Sequence, residues 1–348
     1  SSLRAMATDQ LTALTTTQLA ALSTRQVMAL GTDQLISLST DAMAGLSSAQ
    51  LAALLTTQIA SLTTDQIFAL QTADLASVSS NQLRALTSDQ FAALSSDQLV
   101  ALGTLQFASL STANVVAMTT QQLTYLETAD LAALSTVNVR ALFSEQIAAL
   151  LTSQLQALTT RQFLALGSDQ FAGLTTDQIQ ALTTAQSAAI TSNQAAALTS
   201  DQLAALETTD LAALSSTALR AMWTDQLVLL STVQVAALGT SQVLGLLTAS
   251  VAALTTDQLV ALSDTQAGVL TSAQAAALTV DQLVAVQTRD LAALSTTAVR
   301  GLSVAQIAAA TTDQITGLTT RQVLALGTAQ MAAVTTDQLV AMTTAQFA

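Results

Sequence analysis

The chain of 348 residues contains no proline, cysteine, histidine or lysine. Without cysteine it forms no disulfide and has no thiolate nucleophile. Without histidine and lysine it lacks the commonest general base and the amine of a Schiff base. Aromatic residues make up only 3% of the chain and charged residues 9%. Any hydrophobic core must therefore be built from Leu, Ile, Val and Ala.

Positive charge is scarce, because nine arginines stand against 22 acidic residues and the formal net charge is −13. An acidic, lysine-free surface is repelled by nucleic acid and by anionic lipid. Long apolar runs are also absent, since polar Thr, Ser and Gln residues interrupt the chain regularly. A transmembrane helix needs roughly 18 consecutive apolar residues. The sequence therefore predicts neither a nucleic-acid partner nor insertion into a membrane.

What the chain does contain is a repeat of eight residues that runs from Met6 to Met342 without insertion or deletion. We call this repeat the octad and number it from its aliphatic residue, almost always Leu, so that Leu14 is at position one and Gln18 at position five. Positions one and six are aliphatic or Phe nearly throughout, and position eight is almost always Ala, Ser or Gly. Every Arg and most Asp fall at positions four and seven. We expect positions one, six and eight to face inward and positions four and seven to face water.

The spacing of the apolar residues favours helix over strand. Steps of five and then three residues do not match the alternation of a half-buried strand, and Ala, Leu and Gln are good helix formers. A single unbroken helix also fails, because eight residues turn through about 800° and the Leu row would advance by about 80° per octad. The pattern predicts a helix that breaks once in every octad. A β-solenoid is the alternative fold.

The polar half of the octad marks where each helix starts. Position three is almost always Thr or Ser, and position five is mostly Gln. If position two is the N-cap, the Gln completes a capping box and positions one and six form a hydrophobic staple. If position three is the N-cap, its near uniformity is explained but the staple is lost. The sequence leaves both registers open. In either register we expect the Gln to be partly buried and to bond backbone groups left unpaired at the break.

A helix of about five to seven residues is far shorter than the ~12 to 15 residues that an isolated helix needs. Its stability must therefore come from neighbours, and short helices that wind about an axis and stack on the turn below would bury all three apolar rows. We predict an all-α solenoid of very short helices, one per octad, in a single elongated array. No linker divides the chain, so residues 1–348 are predicted to be one continuous domain. Both ends fall within the pattern, which indicates a segment of a longer protein.

Segments such as TTDQLVAL and LTTDQIQAL resemble the tandem octapeptide tracts of very large secreted or surface proteins of bacteria, often described as adhesins. The likeness spans the chain and implies an extracellular or cell-surface location. A shorter likeness links the Leu-Thr-x-x-Gln run to the start of the repeat in TAL effectors. The rest of that repeat, its base-reading residues and its positive charge are absent, so DNA binding is rejected.

Every constrained position of the octad has a structural explanation, and no residue is left over for a catalytic, cofactor-binding or metal-binding role. We therefore expect a non-enzymatic stalk, fibre, adhesin or matrix scaffold without a cofactor. Self-association or contact with other surface or matrix proteins would use the exposed apolar residues at position two. These candidate lateral-contact residues are Trp223, Phe143, Leu55, Leu151 and Leu247.

The regular spacing of Thr and Asp in the octads suggests two candidate binding functions, to ice or another surface and to calcium. Recurring Thr-Thr pairs could present hydroxyl groups in a lattice, which makes a surface-binding or ice-binding solenoid the alternative function. Rows of Asp at position four could bind calcium. However, a calcium site needs six to eight oxygen ligands and a turn, and no calcium-binding motif occurs. A solvated acidic face therefore explains these rows better than calcium binding does.

Overall fold

A computed structural model describes residues 2–347, which are divided into two units between Leu174 and Thr175. Each unit consists of α-helices of five or six residues, one to an octad, and residues 2–347 contain no β-strand. Short 3-10 helices lie at Ser2–Ala5 and Thr344–Gln346. Each unit is an all-α solenoid of short helices, which confirms the predicted fold class, and the β-solenoid alternative is wrong. One continuous, elongated domain over residues 1–348 stays a prediction.

The helices share nearly the same bounds within their octads. Those of the first unit are α1 (Thr8–Thr12), α2 (Thr16–Ala20), α3 (Thr24–Met28), α4 (Thr32–Ile36), α5 (Thr40–Ala44), α6 (Ser48–Ala52), α7 (Thr56–Ser61), α8 (Thr64–Ala69), α9 (Thr72–Ala76), α10 (Ser80–Ala85), α11 (Ser88–Ala92), α12 (Ser96–Val100), α13 (Thr104–Ser109), α14 (Thr112–Ala117), α15 (Thr120–Tyr125), α16 (Thr128–Ala133), α17 (Thr136–Ala141), α18 (Ser144–Ala148), α19 (Thr152–Ala157), α20 (Thr160–Ala165) and α21 (Ser168–Ala172). Those of the second unit are α22 (Thr176–Gln180), α23 (Thr184–Ala189), α24 (Ser192–Ala197), α25 (Ser200–Ala205), α26 (Thr208–Ala213), α27 (Ser216–Ala221), α28 (Thr224–Val228), α29 (Thr232–Ala236), α30 (Thr240–Gly245), α31 (Thr248–Ala253), α32 (Thr256–Val260), α33 (Asp264–Gly268), α34 (Ser272–Ala277), α35 (Val280–Ala285), α36 (Thr288–Ala293), α37 (Thr296–Gly301), α38 (Val304–Ala309), α39 (Thr312–Gly317), α40 (Thr320–Ala325), α41 (Thr328–Ala333) and α42 (Thr336–Ala341).

Position two is the N-cap of these helices. At the start of α8, the backbone N–H of Gln66 donates to Thr63 Oγ1 at 3.2 Å, and the backbone N–H of Thr63 donates to Gln66 Oε1 at 3.0 Å. This reciprocal pair is a capping box. It decides between the two registers that the sequence left open, and the register with position three as N-cap is wrong.

The break between helices needs neither proline nor a left-handed glycine. Leu62 ends α7 in an extended conformation (φ −62°, ψ 146°), and Thr63 continues in one (φ −73°, ψ 161°). No positive φ occurs between residues 2 and 347. Two successive extended residues redirect the chain, and the capping box then restarts the helix. Because ordinary L-residues adopt these angles without strain, the break can be repeated in every octad.

The core consists of the side chains at positions one and six. Leu99 at position six and Leu102 at position one are both buried, and burial of such a side chain stabilises the fold by about 1.5–3 kcal/mol. Phe163 and Phe171, at position six of successive octads, meet edge to face with their ring centroids 5.9 Å apart. Position six therefore points to the interior of the solenoid.

Position eight was expected to face inward, but it is commonly half-buried along the seam between turns, as at Ala53 and Ala93. A Cβ atom built on Gly173 would lie 3.0 Å from Ser144 Cβ in the turn before. Small residues are needed here because the helices approach closely, as predicted. Position four faces water, also as predicted.

Each turn of the solenoid takes between three and four octads. Helices pack on the helix three octads earlier, as α27 does on α24 and α37 on α34. The Gln82 side chain reaches carbonyl groups 28 and 31 residues earlier in the chain. The sequence did not determine this number, because it depends on contacts between turns.

Candidate functional site

The position-five glutamines form a ladder of hydrogen bonds between turns. Gln82 Oε1 accepts from the backbone N–H of Ser79 at 2.9 Å, which caps its own helix. Gln82 Nε2 donates to the carbonyl oxygens of Leu51 at 3.1 Å and Leu54 at 2.7 Å. Both carbonyl groups lie at the end of α6, where Leu51 O also accepts the backbone N–H of Leu54 at 3.1 Å and the Leu54 carbonyl has passed beyond the helical hydrogen bonds. One amide therefore joins the start of one helix to the end of another, one turn earlier.

The same pairing recurs throughout both units, which confirms that the glutamine bonds the orphaned backbone groups. It is made to carbonyl groups 28 and 31 residues earlier by Gln50, Gln66, Gln98, Gln162, Gln258, Gln314 and Gln338. These side chains are more deeply buried than expected, with Gln98 only 2% exposed. A buried hydrogen bond contributes about 0.5–1.5 kcal/mol net, whereas a buried group left without its partner costs about 1–3 kcal/mol. The ladder therefore makes each turn depend on the turn before it.

Asparagine at position five preserves a shorter version of this bond. Asn114 Nδ2 donates to the carbonyl of Leu86 at 3.1 Å, and Asn138 Nδ2 donates to the carbonyl of Leu110 at 3.0 Å. Both carbonyl groups lie 28 residues earlier, at position one. Because asparagine is one methylene shorter than glutamine, these bonds are made to the nearer of the two carbonyl groups.

Aspartate at position five is also buried, and sequence reasoning missed this. Asp74, Asp130, Asp210 and Asp290 are each less than a tenth exposed, although they lack the amide that the ladder uses. Ser48 Oγ, in the turn before, donates to Asp74 Oδ1 at 2.6 Å. The signal was present in the octad, since an acid at a position otherwise occupied by buried Gln is itself expected to be buried.

Burial raises the pKa of three of these carboxyl groups, those of Asp130, Asp210 and Asp290. Desolvation is the main cause for Asp130, where the neighbouring Glu127 adds to the rise and the Thr104 hydroxyl opposes it. Desolvation also dominates for Asp210, where Glu207 adds to the rise and Ser187 opposes it.

Ser187 departs from its row, because it is a fully buried hydroxyl at the otherwise apolar position six. Its Oγ atom makes no hydrogen bond of normal geometry, although it lies close enough to Asp210 to lower the pKa of that carboxyl.

Asp290 has the least hydrogen bonding of the buried acids. Both of its carboxyl oxygens are buried and neither makes a hydrogen bond. Arg289 Nε lies 3.3 Å from Asp290 Oδ1, but the Arg289 side chain is mostly exposed and the contact is an ion pair without hydrogen-bond geometry. Desolvation raises the pKa of Asp290, Arg289 lowers it, and Asp264 raises it further. Burial is the largest of these effects.

The five residues predicted to make lateral contacts are all exposed. Trp223 is 67% exposed and Phe143 is 59% exposed, and each is the N-cap of its helix. Their backbone N–H groups donate to the following Gln, so the rings are held at the surface and do no capping themselves. The other three are Leu55, Leu151 and Leu247.

Within the first unit, Leu55 and Phe143 line different surface depressions. Leu55 lines a surface depression of 400 Å³ with Met28 and Gly31. Phe143 lines a separate depression of 330 Å³ with Arg140 and Gly167. A contact role for any of them stays a prediction.

Leu55 and Leu151 both lie in the first unit and are separated by 96 residues. They share a row only if twelve octads complete a whole number of turns.

Exposed apolar side chains at position seven were not singled out from the sequence. Arginine at this position suggested a solvated row, and the row is exposed, but it also carries large apolar residues. These are Met28, Ile36, Phe68, Val100, Leu164, Val228, Leu244, Val284, Leu324 and Val340. Their recurrence at one octad position was the signal that could have identified them.

Within residues 2–347, no group of three or more acidic side chains is placed to hold a metal ion. The position-four aspartates, which were the candidate calcium ligands, therefore do not converge in the described part of the chain. None of the described helices combines the length and apolar character that crossing a membrane requires.

The octad, its capping box and its ladder define the chain as a tandem-repeat protein with an α-solenoid fold. The recurring break corresponds to residues 181–186, with the sequence ALTTAQ, which contain the end of one helix, the N-cap of the next and the ladder glutamine. The chain belongs to the ALTTAQ repeat family, whose model matches residues 3–40, 27–64, 67–104, 123–160, 152–184, 203–240 and 283–320. These matches cover more than half of the chain. No curated protein matches it.

Proposed function

We propose that the chain is a non-enzymatic structural segment, an extended stalk, fibre or matrix scaffold in a bacterial surface or secreted protein of the adhesin type. The observation that carries this proposal is the ladder. In octad after octad, the one buried polar side chain uses its oxygen to cap its own helix and its nitrogen to hold the previous turn, as Gln98 does. Both the oxygen and the nitrogen of this buried amide are therefore used in hydrogen bonds that hold the fold together.

A mechanical role follows from the way these bonds connect the chain. Consecutive turns are joined both by the covalent backbone and by amide bonds between positions 28 to 31 residues apart. Tension applied along the axis would have to break several buried hydrogen bonds for each turn released. Stability in such an array is approximately a sum of repeat and nearest-neighbour contributions, so length can be added without changing the design.

The extracellular location is proposed from the resemblance to octapeptide tracts of large bacterial surface proteins. The lack of cysteine and lysine and the net charge of −13 are compatible with it. Partners of the proposed scaffold are further copies of itself or other surface and matrix proteins. We propose no nucleic-acid partner, no membrane insertion, no cofactor and no catalysis.

Electron microscopy of purified residues 1–348 tests the scaffold directly. We expect uniform rods whose length increases in proportion when ten further octads are added. Single-molecule stretching should then show unfolding in small, regular steps. Compact globules whose dimensions do not follow the number of octads would contradict the proposal.

The alternative function is a surface-binding or ice-binding solenoid with regular Thr rows. Capping already uses many position-two hydroxyls, as where Thr159 Oγ1 accepts from the backbone N–H of Gln162. A measurement of thermal hysteresis decides the question, because an ice-binding array depresses the freezing point below the melting point and a scaffold does not.

A further inference from the structure

Position five of the octad supplies a hydrogen-bond donor to the turn before it. Gln82 donates to the carbonyl of Leu54, 28 residues earlier, at 2.7 Å. Asn138 keeps this bond with a shorter side chain and donates to Leu110 at 3.0 Å. The position-one carbonyl is buried at the end of its helix and requires such a partner.

An ionised aspartate at the same position cannot meet this requirement, because a carboxylate only accepts hydrogen bonds. The step of 28 residues that Asn138 follows would pair Asp290 with the carbonyl of Leu262. Both residues line the same small cavity of 20 Å³, which is enclosed mainly by leucine side chains. Neither carboxyl oxygen of Asp290 has a hydrogen-bond partner. A buried carboxylate placed beside a buried carbonyl is unfavourable, because both groups only accept hydrogen bonds, unless the carboxyl group carries a proton.

The same substitution occurs at regular intervals along the chain. Asp130, Asp210 and Asp290 lie 80 residues apart, in the related octads ETADLAAL, ETTDLAAL and QTRDLAAL. All three are at most 4% exposed. The described array therefore contains a buried carboxyl group once in every ten octads over this stretch.

Few charges surround these three carboxyl groups. Helices α13 and α19 pack on α16 and carry no charged residue. Helices α23 and α29 pack on α26 and carry none either. Glu127 and Glu207 are the N-caps of α16 and α26 themselves. Only α36 has nearby charges from other helices, Asp264 on α33 and Asp313 on α39, besides its own Arg289. Apart from Arg289, every one of these neighbours is acidic and favours a protonated carboxyl.

We propose that Asp130, Asp210 and Asp290 are protonated hydrogen-bond donors in the folded array, each replacing the glutamine amide. The array would then contain ladder bonds that form in acid and are lost in base. This proposal concerns the ladder itself and does not depend on the scaffold role proposed above.

The direction of the pH effect follows from the raised pKa of all three groups, whose main cause is burial. An acid that holds its proton more tightly when folded contributes its full stability below the unfolded value, about 3.9 for Asp. That contribution is lost as the pH rises through the higher folded pKa. The array should therefore become less stable as the pH increases from about 4 towards neutrality.

The test is urea unfolding of residues 1–348, followed by helical circular dichroism from about pH 4 to about pH 8. The variant carries Asp130→Asn, Asp210→Asn and Asp290→Asn. We expect its unfolding midpoint at neutral pH to lie above that of the parent chain, and its dependence on pH to be reduced. Asparagine supplies the donor at every pH, as Asn138 does.

A matched control makes the same three Asp→Asn changes at exposed sites. Asp89→Asn, Asp201→Asn and Asp281→Asn change solvent-exposed position-four residues. The control lowers charge repulsion at the surface but keeps the buried carboxyl groups, so it should keep the pH dependence of the parent chain. The reverse substitution Asn138→Asp should add to that dependence, and it provides a result even if the first variant folds poorly.

Infrared spectroscopy supplies a readout independent of stability. As the pH rises, the C=O stretch of protonated carboxyl groups should persist to higher pH in the parent chain and the control than in the buried-site variant. The proposal is overturned if that band disappears over the same pH range in all three proteins, or if both triple variants show the same pH dependence.

Discussion

Gln50 Nε2 lies 2.7 Å from the carbonyl oxygen of Leu22, 28 residues earlier, while Gln50 Oε1 accepts from the backbone N–H of Ser47. One side chain therefore completes the N-terminus of α6 and the C-terminus of α2. Helices of five residues cannot persist alone, so each is stable only when the neighbouring turn is in place. Cooperativity between turns follows directly from this bond.

Replacing a buried ladder glutamine by glutamate should be strongly destabilising. Gln98 donates to the carbonyl groups of Leu70 at 2.7 Å and Ile67 at 3.0 Å. Gln98→Glu retains the shape but replaces two N–H donors by a carboxyl group, which has one donor when protonated and none when ionised, so we expect a loss of about 1–3 kcal/mol at neutral pH by urea unfolding. Gln18→Glu, at the same octad position but exposed, is the control and should change stability by less than about 0.5 kcal/mol. Equal effects at the two sites would mean that the ladder bonds contribute nothing.

The N-cap register predicts different effects at two adjacent threonines. Thr159 Oγ1 accepts from the backbone N–H of Gln162 at 3.3 Å, whereas Thr160 is the first residue of α20. Thr159→Val keeps the size but removes the acceptor, and we expect it to cost about 1 kcal/mol in thermal unfolding. Thr160→Val should be nearly neutral, since Val280 and Val304 occupy that octad position naturally. The reverse order would indicate that position three caps the helix.

Close packing between turns makes one glycine irreplaceable. A Cβ atom at Gly301 would lie 2.4 Å from the carbonyl oxygen of Ser272, which is backbone and cannot rotate away. We expect Gly301→Ala to destabilise the second unit by about 1–3 kcal/mol, measured as a lower unfolding midpoint. At Gly45 the nearest atom to such a Cβ is 3.4 Å away, so Gly45→Ala should be tolerated. An unchanged midpoint for the Gly301 variant would show that the two turns separate at little cost.

Substitution of Trp223 distinguishes a role in lateral contacts from a role in the stability of the fold. Its side chain is exposed and its backbone N–H already bonds Gln226 Oε1 at 2.7 Å. Trp223→Ser adds the missing capping hydroxyl, so thermal stability should rise by about 0.5–1 kcal/mol. If Trp223 makes lateral contacts, sedimentation velocity should also show weaker self-association. Unaltered association would remove Trp223 from the candidate contact residues and leave the stability prediction intact.

Sequence reasoning identified the helix, its break and the ladder residue because the residues that determine them lie within one octad. A hydroxyl followed three residues later by Gln is a local capping signal, and Leu rows at a step of eight residues exclude an unbroken helix. The same reasoning underestimated the burial of Gln98 and overlooked that of Asp130. Both side chains are enclosed by a turn that lies outside the local window.

The surface was less predictable than the interior. Leu55 and Leu151 are exposed as expected, but whether they share a row depends on the number of residues per turn, which no octad contains. Position seven was predicted to face water because arginines occur there. Phe68 and Leu324 occupy the same octad position and are exposed as well. Exposed positions tolerate both residue classes, so composition alone does not separate a solvated row from a contact surface.

The amino-acid sequence alone determined that this protein is an array of short capped helices with a lean aliphatic core, because propensity, capping and periodicity act over a few residues. Only the tertiary structure decided that a turn takes between three and four octads, that position two is the cap, and that position-five acids are buried. Those properties rest on hydrogen bonds and packing between residues 28 to 31 positions apart, as Gln82 makes with Leu54 and Leu51. Such contacts exist only once the chain has completed a turn.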